Sequence, residues 1–147
     1  MKKNVFEWIA FVFLFIWQLP QNLVALFMLL WFIIAGDLKL IKRNKYSFVY
    51  SSKYMGGGIS LGSFAILDKY LSDSQTSLRH EEGHMWDSKL FGPLYLFVIG
   101  IPSILNAGLK FTRCYYDFYP EKLANKHGGL DVNEDCRTYI KENGEPK

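Results

Sequence analysis

The first third of the chain is an almost uninterrupted apolar block. Between residues 5 and 35 the only polar side chains are Glu7, Gln18, Gln21 and Asn22. As one helix this block would extend about 46 Å at 1.5 Å per residue, whereas the hydrocarbon core of a bilayer is about 30 Å thick. A signal peptide would have a shorter apolar core and a small-residue cleavage site. We therefore expect the block to stay in the mature protein, as more than one helix.

A polar break at residues 18–22, QLPQN, divides the block into two halves. Pro20 removes a backbone donor, so it favours a kink or a turn. Basic residues flank the block on both sides: Lys2, Lys3, Lys39, Lys42, Arg43 and Lys45. Because basic flanks stay cytoplasmic, we predict a membrane hairpin over residues 1–45, with arms of about 20–24 Å. The alternative is a core hairpin of a soluble protein, but little of the chain remains to cover so many aromatics.

Charge and cysteine content narrow the function classes. The formal charge is +3, and the basic residues lie beside apolar segments instead of forming a broad stripe, which excludes a nucleic-acid partner. Cys114 and Cys136 have a spacing that matches no zinc motif, and one pair does not make a disulfide scaffold. Whether they pair stays open, and a reducing compartment is favoured.

The middle of the chain has the pattern of short strands. Phe48 and Tyr50 alternate with polar neighbours, and a similar alternation runs from residue 59 to residue 65. Between them, residues 56–58 are three glycines, which predict a turn. No lysine-serine or lysine-threonine pair follows the glycines, so they do not predict a nucleotide site.

A helix with a metal-binding spacing follows. Ser72 and Gln75 predict a capping box, and Gly92-Pro93 predicts a stop, so we expect a helix over residues 74–90. His80 and His84 are one turn apart and project from one face, where two imidazoles can hold one zinc ion. Glu81 lies beside them, placed to accept a proton from zinc-bound water. The alternative is an exposed charged turn in which two histidines coincide.

A third ligand is expected from residues 115–129. Asp117 as cap, Pro120 in the first turn and glycines at 128 and 129 predict a helix of about ten residues. Its spacing places Glu121 and Asn125 on one face, the first to reach the metal and the second to orient a histidine. Asp117 and His127 are rival ligands, although His127 also suits the C-terminal end of a helix.

The pattern HEEGH followed by E-x-x-A-N resembles that of the gluzincins, which carry H-E-x-x-H and then E-x-x-x-D. The resemblance implies zinc on His80, His84 and Glu121, with Glu81 as general base. Asn125 stands where an aspartate is usual, so the histidine it contacts would be less basic. The segments LFGPLYLFVIGIPS and FYPEKLANKHGG are also similar to a group of small bacterial membrane proteins with HExGH, which bring no function with them.

A second apolar run at residues 91–111 contains two prolines and two glycines before Asn106. One clean crossing of a bilayer would separate His80 from Glu121, so we predict a re-entrant or packed element. Arg113, Tyr115, Tyr116 and Tyr119 follow, suited either to a membrane interface or to stabilising an oxyanion.

Together these patterns predict a mainly helical α+β protein. The membrane hairpin of residues 1–45 would precede a zincin-like metal-binding domain at 46–130 and a polar C-terminal tail at 131–147. The expected function is a zinc metallopeptidase in the bacterial cytoplasmic membrane, with its active site towards the cytoplasm and a peptide or protein substrate. The alternative is a zinc-binding membrane protein without peptidase activity, acting in regulation, immunity or scaffolding.

Overall fold

A computed structural model describes residues 4–131 and Cys136. The apolar block forms two helices, α1 (Val5–Trp17) and α2 (Leu19–Ile34). Asn4 caps α1 by accepting a hydrogen bond from the Glu7 backbone, and the Glu7 side chain completes the capping box. Pro20 lies in the first turn of α2, where its missing N–H is tolerated. The two helices are bent by 91° at this break.

Four short strands follow in a mixed sheet of order β1-β2-β4-β3. They are β1 (Lys39–Arg43), β2 (Phe48–Ser52), β3 (Gly58–Leu61) and β4 (Phe64–Asp68). The predicted strand-like stretch thus becomes β3 and β4, an antiparallel pair. β2 runs parallel to β4, and β1 pairs antiparallel with β2. The basic flank of the apolar block therefore forms a strand that its sequence pattern did not predict.

The metal-binding spacing lies on α3 (Gln75–Phe91), close to the predicted bounds. The predicted capping box is wrong, because Ser74 and not Ser72 is the N-cap, accepting from the Ser77 backbone. Ser72 instead lies in a 3₁₀ turn, and its hydroxyl donates to the Lys69 carbonyl. The turn places the N-cap of α3 two residues beyond the serine that the sequence pattern suggested.

The second apolar run is one continuous but irregular element. A 3₁₀ turn (Gly92–Leu94) precedes a π-helical turn (Leu96–Gly100), which leads into α4 (Ile101–Leu109). From Leu96 to Leu109 this is about 21 Å of helix, too short to cross a bilayer. Tyr95, Ile99 and Asn106 are buried, so the run is packed against the domain on one side.

The last described helix is α5 (Tyr119–Gly128), with Pro120 in its first turn and Gly129 as a left-handed C-cap at φ +67°. Its predicted cap is wrong: Phe118 occupies the N-cap position. Asp117 lies in the preceding 3₁₀ turn and pairs with Lys122 at 2.6 Å. The helix itself has the length that the proline and glycine signals predicted.

The sheet is covered on both faces. One core cluster joins α2 to one face of the sheet and to the second apolar run: Ala25, Leu29, Phe32, Leu61, Phe64, Ile66, Tyr95 and Ile99. The other joins the opposite face to α3: Val49, Ala65, Leu67, Leu78 and Met85. The alternation along β4 creates both clusters, because successive side chains point to opposite faces. The predicted class, α+β and mainly helical, is confirmed.

The polar break between the helices is a docking point. Gln21 Nε2 donates to Ser88 Oγ at 3.0 Å and to the Gly92 carbonyl at 2.8 Å. Asn22 Oδ1 accepts from the Ser63 backbone in the β3–β4 turn at 2.8 Å. Gln21 and Asn22 are fully buried. The break thus ties the apolar helices to the end of α3 and to the sheet.

Much of the surface of α1, α2 and the second apolar run is apolar and exposed. Large side chains with at least half their surface exposed include Phe6, Trp8, Phe13, Leu23, Phe27, Trp31, Phe97 and Ile104. In the part of the chain that the structure describes, no single helix is long and apolar enough to span a bilayer. Taken together, the two helices of the bent pair α1–α2 have the length and the apolar composition of a span. This is weak evidence of membrane association.

Cys114 and Cys136 form a disulfide. The sequence left open whether these two cysteines pair. Disulfides are characteristic of oxidising compartments, whereas the sequence favoured a reducing compartment. Of the predicted polar tail, only residue 131 and Cys136 belong to the described residues. The prediction for the rest of the tail lies outside them.

Candidate metal centre

His80, His84 and Glu121 converge in the interior, between α3 and α5. The Oε2 atom of Glu121 lies 3.0 Å from Nε2 of His80 and 3.3 Å from Nε2 of His84. Ligand atoms about 2 Å from a tetrahedral ion are themselves about 3.4 Å apart. The two distances to Glu121 are close to this value, and all three ligand atoms lie within 4.8 Å of one another, so the group could hold one metal ion. The structure leaves the identity of that ion open.

Close packing of α3 on α5 brings the ligands together. A side chain at Gly83 would place its Cβ only 1.9 Å from the Ala124 carbonyl oxygen. One at Gly128 would lie 2.3 Å from the Arg79 carbonyl oxygen. Both glycines therefore let the two backbones approach closely. Arg79 reinforces the contact by donating from Nε to the Gly128 carbonyl at 2.9 Å.

Asn125 sets the orientation of the first imidazole. Its Oδ1 lies 2.6 Å from Nδ1 of His80, so that nitrogen carries the proton and donates it to the amide oxygen. Nε2 is then the ring atom directed at Glu121, 3.0 Å from its Oε2. This is the arrangement by which a hydrogen-bond acceptor behind a histidine fixes its metal-binding nitrogen.

The second imidazole has a different supporting group, which the sequence analysis missed. Asp87 is fully buried, and its Oδ2 lies 3.5 Å from Nδ1 of His84. The other oxygen of Asp87 is 2.6 Å from Nδ1 of His127. His127 is thus placed against Asp87 and outside the ligand group, where it had been considered as a rival ligand. The i,i+3 spacing of His84 and Asp87 was the signal that could have found this contact.

The carboxylate of Glu121 is held from two sides. Its Oε1 accepts a short hydrogen bond from Ser103 on α4, and Ser103 Oγ lies 3.3 Å from the Tyr115 hydroxyl. Burial by itself would raise the pKa of Glu121, but hydrogen bonds and charge from His80 and His84 outweigh it and hold the pKa well below its usual value. Glu121 is therefore a carboxylate at neutral pH, as a metal ligand requires.

The pKa of His84 moves in the opposite direction. Burial would lower it, but hydrogen bonds to Asp87 and Glu121, together with the charges of Glu121 and Glu81, raise it to about 10. In the metal-free protein His84 is a cation that partners these carboxylates. A metal ion would take the place of that proton and supply the compensating positive charge.

Glu81 stands outside the ligand group and against the edge strand β3. Its Oε2 lies 2.7 Å from Ser60 Oγ, which can donate to it. A Cβ at Gly58 would lie only 2.0 Å from Glu81 Oε1. The carboxylate is therefore confined by β3, adjacent to His80 in sequence but not among the three converging groups.

Two cavities open on this centre. The first, of about 200 Å³, is lined mainly by apolar side chains of α2, β3 and α4, and we call it the apolar pocket. The second, of about 290 Å³, is lined by Thr76, Ser77, Tyr116 and Asn125 among others, and we call it the polar pocket. His80 and Glu81 line both cavities. The centre is thus reachable from outside despite the burial of its ligands.

Tyrosines of the segment before α5 complete the wall. Tyr115 lines both pockets, and burial raises the pKa of its hydroxyl, with the charge of Glu121 adding to the rise. The ring of Tyr116 stands 5.5 Å from that of His80. Tyr119 is directed elsewhere, since its hydroxyl donates to the Val98 carbonyl. Tyr115 is thus a hydroxyl donor beside the centre, whereas Tyr119 is not.

No protein-family model matches the chain, and comparison with curated proteins and with solved structures finds no significant match. What the molecule itself provides is a buried His-His-Glu group that could hold a metal ion.

Proposed function

We propose that this protein is a membrane-associated zinc metallopeptidase of the gluzincin type. One relationship supports it most: Glu121 Oε2 lies within 3.3 Å of both histidine Nε2 atoms, while Glu81 is held apart from them by Ser60. A purely structural zinc site closes its coordination with four protein ligands, whereas a catalytic site has three and keeps one position for water. Three ligands and a neighbouring carboxylate that is not a ligand fit a catalytic zinc site.

The residues divide into distinct roles. Zinc bound by His80, His84 and Glu121 would polarise the scissile carbonyl and acidify a bound water. Glu81 accepts the proton of the attacking water on its carboxylate and delivers it to the leaving amine. Tyr115 directs a hydroxyl towards the same space, where it can donate to the oxyanion that forms on the carbonyl oxygen.

The edge strand β3 offers a place for an extended substrate. It pairs with β4 on one side only, and its residues 58–61 line the apolar pocket. Part of this edge is occupied, because the Tyr95 hydroxyl donates to the Ser60 carbonyl at 2.8 Å. Ser63 does not belong to the edge, since its N–H is bonded to Asn22 in the turn. Pairing of substrate backbone with β3 is thus centred on Gly58 to Ser60.

We place the protein in a bacterial cytoplasmic membrane through α1 and α2. The exposed aromatic and aliphatic side chains of these helices support this location. Basic residues at both ends of the apolar block support a site facing the cytoplasm. The Cys114–Cys136 disulfide is the observation that favours the opposite face.

A second function, zinc binding without peptidase activity, has one observation in its favour. Asn125 contacts His80 where a carboxylate would make the ligand more basic, and a neutral amide lowers the electron density that His80 gives to the metal. Such a protein would serve in regulation, immunity or scaffolding. The position of Glu81 argues against it, because a site that only holds metal has no use for a confined free carboxylate.

Metal analysis and hydrolysis assays on the purified protein test these alternatives. We expect about one zinc per chain in the wild type and little in His84→Ala or Glu121→Ala. Asp117→Ala is the matched control, because Asp117 is the rival acid and lies on the surface in an ion pair with Lys122. Glu81→Gln should keep its zinc and lose cleavage of casein or of a membrane peptide. Undiminished hydrolysis in Glu81→Gln would rule out the mechanism, and zinc binding without any hydrolysis would favour the second function.

A further inference from the structure

The apolar and polar pockets meet at the centre and leave it in different directions. Both are lined by His80 and Glu81, and they also share Gly58, Ala107 and Tyr115. A chain bound at Glu81 along β3 therefore has one flank in each pocket. The chemistry of the two pockets then determines what each flank can be.

The apolar pocket opens on the exposed apolar surface of α2 and α4. Val24, Ile101 and Ile104 line it and are 43%, 47% and 59% exposed. Other side chains of the same two helices, Leu23, Phe27 and Leu105, are also exposed. The pocket rim is therefore continuous with the surface that the proposed function places against lipid, so an apolar segment can pass from one to the other without entering water.

The polar pocket presents a different lining. Thr76 and Ser77, from the first turn of α3, provide hydroxyl groups there, beside the side chains of Leu71 and Leu130. Both hydroxyls can donate to and accept from a polar chain, which an apolar segment cannot do in return. The polar flank of a bound chain therefore belongs on this side of Glu81.

We propose that the substrate is a peptide whose scissile bond joins an apolar segment, held at the bilayer, to a polar segment in water. The inference rests on the proposed peptidase function and specifies its substrate class. Hydrolysis breaks the C–N bond at this boundary, with the water oxygen going to the carbonyl carbon and a proton to the departing nitrogen. The apolar pocket, at about 200 Å³, is below the usual 300–1,000 Å³ of ligand pockets, so it takes one apolar side chain next to that bond.

Photo-crosslinking tests the inference without requiring turnover. Glu81→Gln, loaded with zinc and reconstituted in phospholipid vesicles, is mixed with a peptide that has an apolar half and a polar half. A photoreactive leucine occupies the last apolar position. We expect adducts on α2 and α4, about tenfold more abundant than with a scrambled peptide of the same composition. Equal labelling by the scrambled peptide would overturn the inference.

Two neighbouring positions of α4 provide the variant and its matched control. Ile104→Trp fills the rim of the apolar pocket and should reduce the adducts by about tenfold. Leu105→Trp adds the same bulk one residue on, where the side chain is 45% exposed and does not line the pocket, and should leave them unchanged. Both positions are on the surface, and zinc content reports whether each variant is folded. No difference between the variants would also overturn the inference.

Hydrolysis by the wild type separates this inference from the proposed function. If the boundary peptide crosslinks as expected but is not cleaved, the pocket assignment stands and the peptidase assignment fails. If a soluble polar peptide is cleaved as fast as the boundary peptide, the peptidase assignment stands and the substrate class is wrong. Cleavage at the junction of the boundary peptide alone, mapped by mass spectrometry, supports both.

Discussion

The Oδ1 atom of Asn125 lies 2.6 Å from Nδ1 of His80, so an amide and not a carboxylate holds this imidazole. The group that faces the other imidazole is Asp87, whose Oδ2 lies at a longer distance, 3.5 Å, from Nδ1 of His84. The two histidines, one turn apart on α3, thus have supporting groups of different charge. This asymmetry is directly testable, because a supporting acceptor contributes to metal affinity through the ligand that it orients.

Substitution of Asn125 should change zinc affinity in both directions. Asn125→Leu removes the acceptor and leaves His80 free to rotate, so we expect affinity to fall by about 10–100-fold. Asn125→Asp keeps the acceptor and adds a negative charge, so affinity should rise. Competition with a chromophoric chelator measures both. Lys126→Leu, an exposed neighbour on α5, is the control, and unchanged affinity in Asn125→Leu would mean that the 2.6 Å contact does not orient His80.

Alanine at Gly58 should impair catalysis without releasing the metal. Its Cβ would lie 2.0 Å from Glu81 Oε1, so the carboxylate has to move away from β3. Because general-base catalysis contributes about 10²–10⁴-fold, we expect kcat to drop at least tenfold at unchanged zinc content. Gly56→Ala is the matched control, since nothing lies within 4 Å of a Cβ at that position. Equal activity of the two variants would show that the position of Glu81 is not critical.

Alanine at Gly83 should destabilise the fold and weaken metal binding together. Its Cβ would meet the Ala124 carbonyl oxygen at 1.9 Å, which forces α3 and α5 apart and separates the histidines from Glu121. Overpacking of this kind costs about 1–3 kcal/mol, measurable as a lower Tm. Gly108→Ala on α4 meets nothing within 4 Å and should be neutral or stabilising by up to about 1 kcal/mol. A Gly83→Ala protein with wild-type Tm and zinc content would contradict the packing argument.

Local spacing was sufficient to predict the parts of the site that lie on single helices. His80 and His84 share a face of α3, and Glu121 and Asn125 share a face of α5, because a helix repeats every 3.6 residues. The ends of α5 followed from Pro120 and Gly129, which have local backbone requirements. Predictions of this kind need no knowledge of how the elements meet.

Contacts between elements distant in sequence could not be predicted in the same way. Ser103 reaches Glu121 only because α4 packs against α5, and Ser60 reaches Glu81 only because β3 packs against α3. The polar break was interpreted as a turn in a membrane hairpin, yet Gln21 bonds to Ser88 at the end of α3. No periodicity in the sequence encodes which surfaces face each other, so polar residues in apolar surroundings were the only available signal.

The stability of the metal-free protein should fall as the pH rises. The pKa of His84 is raised from 6.5 to about 10 by its carboxylate neighbours, despite its burial. The stabilisation is therefore complete below about pH 6.5, declines above it and is absent above about pH 10. Thermal unfolding in EDTA, at intervals across this range, measures the effect. Glu121→Gln removes one of the carboxylates that raise the pKa and should flatten the profile.

Zinc should reverse this dependence on pH. The ion needs a neutral imidazole and displaces the His84 proton, so its affinity increases as the pH rises towards about 10. The difference in Tm between zinc-loaded and EDTA-treated protein is therefore expected to widen with pH. Proton release on zinc addition at pH 7, measured in a weakly buffered solution, checks the same linkage. A Tm difference that narrows over this range would mean that His84 is not a ligand.

Removal of the disulfide should destabilise the protein and, in cells, report which face of the membrane the site occupies. Cys114 precedes Tyr115 and Tyr116 in the wall of the centre, and Cys136 is 22 residues further on. Replacing both cysteines by serine should cost about 2–4 kcal/mol, seen as a lower Tm than that of wild type. In wild-type cells treated with a thiol-alkylating reagent before lysis, full protection of both cysteines indicates the oxidising face. Equal Tm values for wild type and the double serine variant would show that the bond contributes nothing to the stability of the fold. Complete alkylation of both cysteines in cells would indicate the cytoplasmic face that the basic flanks support.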